Sequence, residues 1–187
     1  MKEDFTLTIV LEESEDNDQN WASLHQCLLM LFDSPLNHAG HLEVFIRLKD
    51  GRVIKMHREV RIPRTYKRFD QLFNNFLQGC DMPIVQTNNG PARLLVFIER
   101  QLSRNCKRIR IGNLVPKFRN VDSFASSCEN SERLAVHIEF GPVDYNDLEV
   151  KTINSNEDIY SISRYPLSPA LICAKITTSF EKALEVL

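Results

Sequence analysis

The spacing of apolar and polar positions changes several times along the chain, and each change marks an element. FTLTIVL, Phe5 to Leu11, is short, apolar and β-branched, the pattern of a buried strand. The acidic run EESEDND after it, Glu12 to Asp18, reads as a loop. From Leu24 to Asp33 apolar residues fall at Leu24, Cys27, Leu28, Met30, Leu31 and Phe32. That arc is too wide for a surface helix and predicts a largely buried one, stopped by Ser34-Pro35. HLEVFIRL alternates, with Leu42, Val44, Ile46 and Leu48 on one side. Asp50-Gly51 and a second alternating run, RVIKMH, predict a β-hairpin closed by a type I′ turn.

Further along, Phe69, Leu72, Phe73, Phe76 and Leu77 recur at helical spacing, which predicts a helix from Thr65 to Leu77 with Thr65 as N-cap. Gly79 to Gly90, with two glycines, a proline and two asparagines, reads as a loop. Ala92 to Leu102 is a helix candidate, although its run Leu94 to Ile98 also suits a strand. KRIRIG, Lys107 to Gly112, and RLAVHIEFG, Arg133 to Gly141, each read as a strand ending in glycine. EDIYSIS reads as a strand and Pro166 to Leu187 as a long helix. Strands separated by helices predict an α/β fold with a mainly parallel sheet flanked by helices, plus the β-hairpin. In such folds ligands bind beyond the carboxyl ends of the strands, which here carry Gly112, Gly141 and the turn RYPLS.

At 187 residues with 43% apolar content, one domain spanning 1–187 is expected, long enough to bury a core. The net charge of −2 points to no partner, but its distribution does. Between Arg47 and Arg68 stand nine Lys or Arg residues (47, 49, 52, 55, 58, 61, 64, 67 and 68) against two acids, Asp50 and Glu59. RIPRTYKRF, Arg61 to Phe69, is the densest part. Such a strip on a near-neutral chain suits phosphate docking, and arginine's planar fork matches phosphate better than lysine; the alternative is a merely solvated face. The five cysteines, at 27, 80, 106, 128 and 173, form no CxxC pair, so reduced packing thiols are expected rather than disulfides or zinc ligands. The histidines show no metal spacing. No apolar run reaches membrane-spanning length and no secretory segment opens the chain, so a soluble protein that is not secreted is expected.

Three segments stand out together: HQCLLMLFDSPLNHAG (His25 to Gly40), RIPRTYKRF, and SISRYPLSPALICAK (Ser161 to Lys175). In this order they resemble the motifs of the pseudouridine-N1-specific rRNA methyltransferases, a ribosome-biogenesis family of the SPOUT, or α/β-knot, class. The resemblance implies a parallel sheet with a C-terminal trefoil knot that holds S-adenosyl-L-methionine, and a homodimer formed through helices flanking that cofactor. It implies methylation of N1 of a pseudouridine in the small-subunit rRNA precursor, work alongside other ribosome assembly factors, and a place in the nucleus and nucleolus. Neither a membrane nor a metal ion is implied.

Carried onto this chain, the resemblance makes Asp33 the active-site aspartate. From the residues alone, Asp33 reads rather as a helix-end residue starting an Asx turn before Pro35. Arg61, Arg64 and Arg68 match the RNA-contacting arginines, and the four-residue step from Arg64 to Arg68 suggests one shared helical face. Gly112, Gly141, Ile162, Leu167 and Ser168 fall in the three cofactor loops; either glycine alone is also an ordinary turn residue. The chain departs from the family pattern at Asn20-Trp21-Ala22, where Arg-Pro-Asp is usual, at EFGPVDYN with its Glu139, and at Arg164. These departures leave a second reading open, a catalytically degenerate rRNA-binding assembly factor with the same fold.

Overall fold

The computed structural model describes residues 5–15, 21–80, 84–87, 90–98, 106–113, 115, 117–128, 133–142 and 158–186. The sheet is built from β1 (Leu7–Glu13), β2 (Leu42–Arg47), β3 (Val53–Met56), β6 (Leu95–Ile98), β7 (Cys106–Ile111), β8 (Arg133–Phe140) and β9 (Ile159–Tyr160). Its order is β6-β3-β2-β1-β8-β7-β9. The β1–β2, β1–β8, β7–β8 and β7–β9 pairs are parallel, while β2–β3 and β3–β6 are antiparallel. This is the mainly parallel mixed sheet with an added hairpin that the alternation predicts. A separate two-stranded sheet pairs β4 (Ile84–Thr87) with β5 (Gly90–Arg93).

The pleat sorts the side chains. Leu7, Ile9 and Leu11, with Leu42, Val44 and Ile46, Leu134, Val136 and Ile138, and Ile109 and Ile111, form one buried face. Helices α1 (Ala22–Phe32), α3 (Tyr66–Leu77), α4 (Val121–Ser127) and α5 (Pro169–Leu184) complete this core. Helix α1 contributes Leu24, Cys27, Leu28, Leu31 and Phe32, and α5 contributes Ile172, Cys173, Ile176 and Phe180. The four-residue α2 (Pro35–His38) starts at Ser34, whose Oγ accepts from the Asn37 N–H. All five thiols are free, and a hydrogen bond with Cys27, together with burial, pushes the Cys173 thiol well up in pKa.

Several expectations are corrected. The β2–β3 connection is not type I′. Among the described non-glycine residues only Glu185 has positive φ, so Asp50 lacks the geometry that turn needs. Instead Gly51, at φ 87°, closes a three-residue loop in which the Gly51 N–H donates to the Leu48 carbonyl and Leu48 N–H to that of Arg52. The helix expected from Ala92 is strand through Ile98, because β6 pairs along its length with β3; residues 99–102 lie outside the described residues. Part of the Gly79–Gly90 loop is strand β4, with 81–83 and 88–89 outside the description. Glu12 and Glu13 extend β1 rather than starting the acidic loop, whose residues 16–18 are likewise outside. The last helix starts at Pro169, not Pro166, because Ser168 caps it. Helix α4 was not expected.

Candidate functional site

Between β3 and α3 the chain runs as an irregular strap, residues 57–65. It is pinned at three places. The Asn37 side chain donates to the Arg58 carbonyl at 3.1 Å. Val60 is buried. His25, 1% exposed on α1, donates from Nε2 to the Pro63 carbonyl at 2.6 Å. A carbonyl only accepts, so the hydrogen sits on Nε2. The same imidazole stacks on Phe69 of α3 at 4.8 Å. One ring thus fixes the residue before Arg64 and the residue after Arg68.

Pinned this way, the strap leaves Arg61 and Arg64 exposed, and Arg68, in the first turn of α3, is exposed as well. Arg64 and Arg68 do not share a helical face, because α3 begins only at Tyr66, with Thr65 at its N-cap position. Arg64 instead turns back to Asp33 and forks both of its oxygens. Nη2 reaches Oδ1 at 3.1 Å and Nη1 reaches Oδ2. The hydrogen bond to Asp33, and its charge, raise the Arg64 pKa above its ordinary value. Asp33 is the C-cap of α1, its backbone N–H bonded to Leu29. Its side chain forms an ion pair, and the cap of the next turn is Ser34.

The rest of the basic strip is not one surface. Arg47 pairs with Glu12, Arg52 with Asp50 and Lys55 with Glu43. Among the described residues Arg61 and Arg68 have no carboxylate partner.

The candidate cofactor loops sit elsewhere. Gly112 follows β7, and its N–H donates to the Tyr160 carbonyl at 3.0 Å. A Cβ there would stand 2.9 Å from Val115 Cγ2. Asn113 grips the last loop from both sides. Its Nδ2 donates to the Leu167 carbonyl and its Oδ1 accepts from the Leu167 N–H, each at 2.9 Å. Ile162 is half-buried against the core, Leu167 is buried, and the Ser168 Oγ caps α5 by accepting from Leu171. Gly141 is buried after β8, where a Cβ would meet Ser14 Cβ at 2.6 Å. A side chain there would have to displace Ser14. Glu139 is exposed; residues 143–146 of EFGPVDYN lie outside the described residues.

Within one chain the structure does not bring the two groups together. Trp21, before α1, packs on Phe140 at the carboxyl end of β8. Helix α1 then runs back to Asp33, beside the start of β2, where the Leu7 N–H bonds the His41 carbonyl. Helix α5 runs the same way, from the Leu167 loop to Glu181, whose Oε1 accepts from the Leu36 N–H. Asp33 therefore lies at the amino-end side of the strands, and Gly112, Gly141, Ile162, Leu167 and Ser168 at the carboxyl-end side. The eleven residues of α1 alone span about 16 Å.

His25 and Asn113 were missed from sequence. A polar residue inside the apolar arc of α1 was a signal for His25. Gly-Asn after a strand marks a turn, but nothing local shows that the partner of Asn113 lies 54 residues away. Among the described residues no metal-binding cluster of His, Cys, Asp or Glu is present, and no helix is long and apolar enough to cross a membrane.

Residues 23–181 match the family described as EMG1/NEP1 methyltransferase. The chain is 36% identical over 165 residues to the ribosomal RNA small subunit methyltransferase NEP1 of Drosophila melanogaster, covering 84% of this chain and 63% of the relative. It is 34% identical over 167 residues to the human protein of that name, covering 87% and 64%. The chain thus spans less than two thirds of the length of these relatives. A crystal structure of Archaeoglobus fulgidus Nep1 bound to S-adenosylhomocysteine superposes with a TM-score of 0.65 at 18% identity, covering 97% of this chain and 99% of that one. This last likeness is one of fold.

Proposed function

We propose, because the chain belongs to the EMG1/NEP1 methyltransferase family, that it methylates N1 of a pseudouridine in small-subunit rRNA using S-adenosyl-L-methionine. The observation that carries this reading is the ion pair that sets Arg64 of the strap against Asp33 on an exposed surface, with the neighbouring Pro63 held by His25. Pseudouridine N1–H is weakly acidic and must lose its proton when the methyl group arrives. The Asp33 carboxylate accepts a hydrogen bond from it, orients the ring and takes the proton. Arg61 and Arg68 hold the flanking phosphates, which makes binding salt-dependent.

The residues after β7, β8 and β9 fit a nucleoside held by backbone groups. Gly112 and Gly141 allow close approach of loops that a side chain would force apart, and the Asn113 grip fixes the last loop to the first. Gly112, Gly141, Ile162, Leu167 and Ser168 would hold the cofactor, which supplies an electrophilic methyl group. The trefoil knot belongs to this reading. It is supported by β9, last in the chain, adding in parallel beside β7.

The opposite placement of the two groups calls for a homodimer. Met30 of α1 is 41% exposed and Leu171 of α5 is 44% exposed, near opposite ends of two helices that run the same way. A twofold pairing sets Met30 of one subunit against Leu171 of the other, and Asp33 of one against the cofactor loops of the other. The reading includes action on the rRNA precursor in the nucleolus, beside other assembly factors.

Calorimetry with S-adenosylhomocysteine, followed by methyl transfer to a pseudouridine-containing RNA hairpin, tests it. Binding and transfer, with transfer lost in Asp33→Asn, is the expected result. A folded dimer that binds the hairpin but not S-adenosylhomocysteine would instead be an assembly factor on a methyltransferase frame.

A further inference from the structure

We infer that Arg64 is a latch on Asp33 that RNA opens, so that the candidate proton acceptor is released only when a backbone phosphate takes its place. The inference rests on the RNA-methyltransferase reading above. The guanidinium spans both Asp33 oxygens, and a carboxylate held in such a fork has its best lone pairs occupied. It is then a poor partner for a substrate N–H. A phosphate presents the same pair of oxygens to the same fork. Arrival of the RNA backbone therefore exchanges one anion for another on Arg64 and leaves the carboxylate facing the base.

The surroundings allow this exchange and restrict it to side chains. The Arg64 and Asp33 side chains are 73% and 50% exposed, so their separation unpacks nothing and an exposed pair of this kind is weak. The backbone on both sides is fixed. The Asp33 N–H is bonded to Leu29, Ser34 is buried as the cap of α2, and the Pro63 carbonyl is held by His25. Arg61 and Arg68, with no carboxylate partner among the described residues, are available for first contact. Arg64 can present its Nη1/Nη2 fork to a phosphate only at the expense of Asp33.

The arrangement has a signature that simple phosphate contact lacks. Asp33→Asn removes the competitor for Arg64 and should tighten RNA binding, about two- to fivefold, the range for an exposed ion pair. A double-mutant cycle isolates this from the general effect of removing a negative charge. Affinities of a labelled RNA hairpin with one loop pseudouridine would be measured for the parent chain, Asp33→Asn, Arg64→Ala and the double variant, with thermal melts confirming that each folds. The expected result is a gain from Asp33→Asn in the parent background that disappears when Arg64 is alanine. A gain of equal size in both backgrounds overturns the latch, as does unchanged or weaker binding by Asp33→Asn. No hairpin binding by the parent chain overturns the RNA reading itself and the latch with it.

Discussion

A glutamate at the end of a central parallel strand is tolerable only if its charge is matched. Glu12 is 7% exposed and receives Arg110 at 2.6 Å, His137 at 2.9 Å and Arg47 at 3.1 Å. Burial alone would raise its pKa; the His137 hydrogen bond and the charges of Arg110, His137 and Arg47 outweigh this and hold it below the usual carboxylate value. A depressed folded-state pKa means that the stabilisation is present above the unfolded-state pKa and lost as pH falls through the folded one. Glu12→Gln should therefore cost about 1–3 kcal/mol at neutral pH, and its deficit should shrink on acidification. Urea unfolding at stepped pH reads this directly; a deficit constant with pH would mean the carboxylate charge is not the stabilising feature. His25 invites a second test. His25→Phe keeps the stack on Phe69 but loses the bond to Pro63, a loss of about 1 kcal/mol. Hairpin affinity should fall with it while S-adenosylhomocysteine affinity holds, and His25→Gln should restore part of the hairpin affinity. Equal loss of both ligands would make His25 a general packing residue.

Among elements, those with strong local signals were legible. Helix α3 and strands β2, β7 and β8 lie close to where alternation and helical spacing place them. The failures share a cause. The stretch Leu94 to Ile98 is too short for its period to discriminate, and pairing with β3 decides it. Helix α4, VDSFASS, has only Phe124 and Ala125 buried, so its apolar pattern is faint, although Asn120 caps it. The type I′ expectation rested on Asp-Gly alone, while register with β3 required one residue more in the loop. Because Gly51 takes a left-handed conformation, Gly51→Ala should lower stability by about 1–2 kcal/mol. Gly141→Ala should cost about 1–3 kcal/mol through its contact with Ser14. Thermal melts check both, and a neutral Gly141→Ala would show that the β1 end can shift.

For the molecule as a whole, the candidate residues were readable but their arrangement was not. Motif order along the chain says nothing about which end of a sheet each motif reaches. The return of α1 puts Asp33 at one end, and the carboxyl termini of β7, β8 and β9 put the glycines and the Leu167 loop at the other. Nor could a strip of nine bases show that four of them are neutralised by Glu12, Asp50, Glu43 and Asp33. If the subunits meet through α1 and α5, Met30→Glu should shift the chain toward monomer in sedimentation and abolish methyl transfer, while leaving the monomer folded. An unchanged dimer would place the interface elsewhere.

If one centre is shared between two subunits, the separation of the two halves along parallel helices has a consequence for mixtures of damaged chains. A chain carrying Asp33→Asn and a chain carrying Gly112→Val would each be inactive alone. Refolded together, their hybrid dimers would contain one composite centre with an intact aspartate from one parent and intact loops from the other, and a second centre with neither. Random assortment would return about one quarter of the full complement of centres. Two inactive preparations would thus complement each other in a single tube, whereas a centre built wholly within one chain would leave the mixture as inactive as its parts.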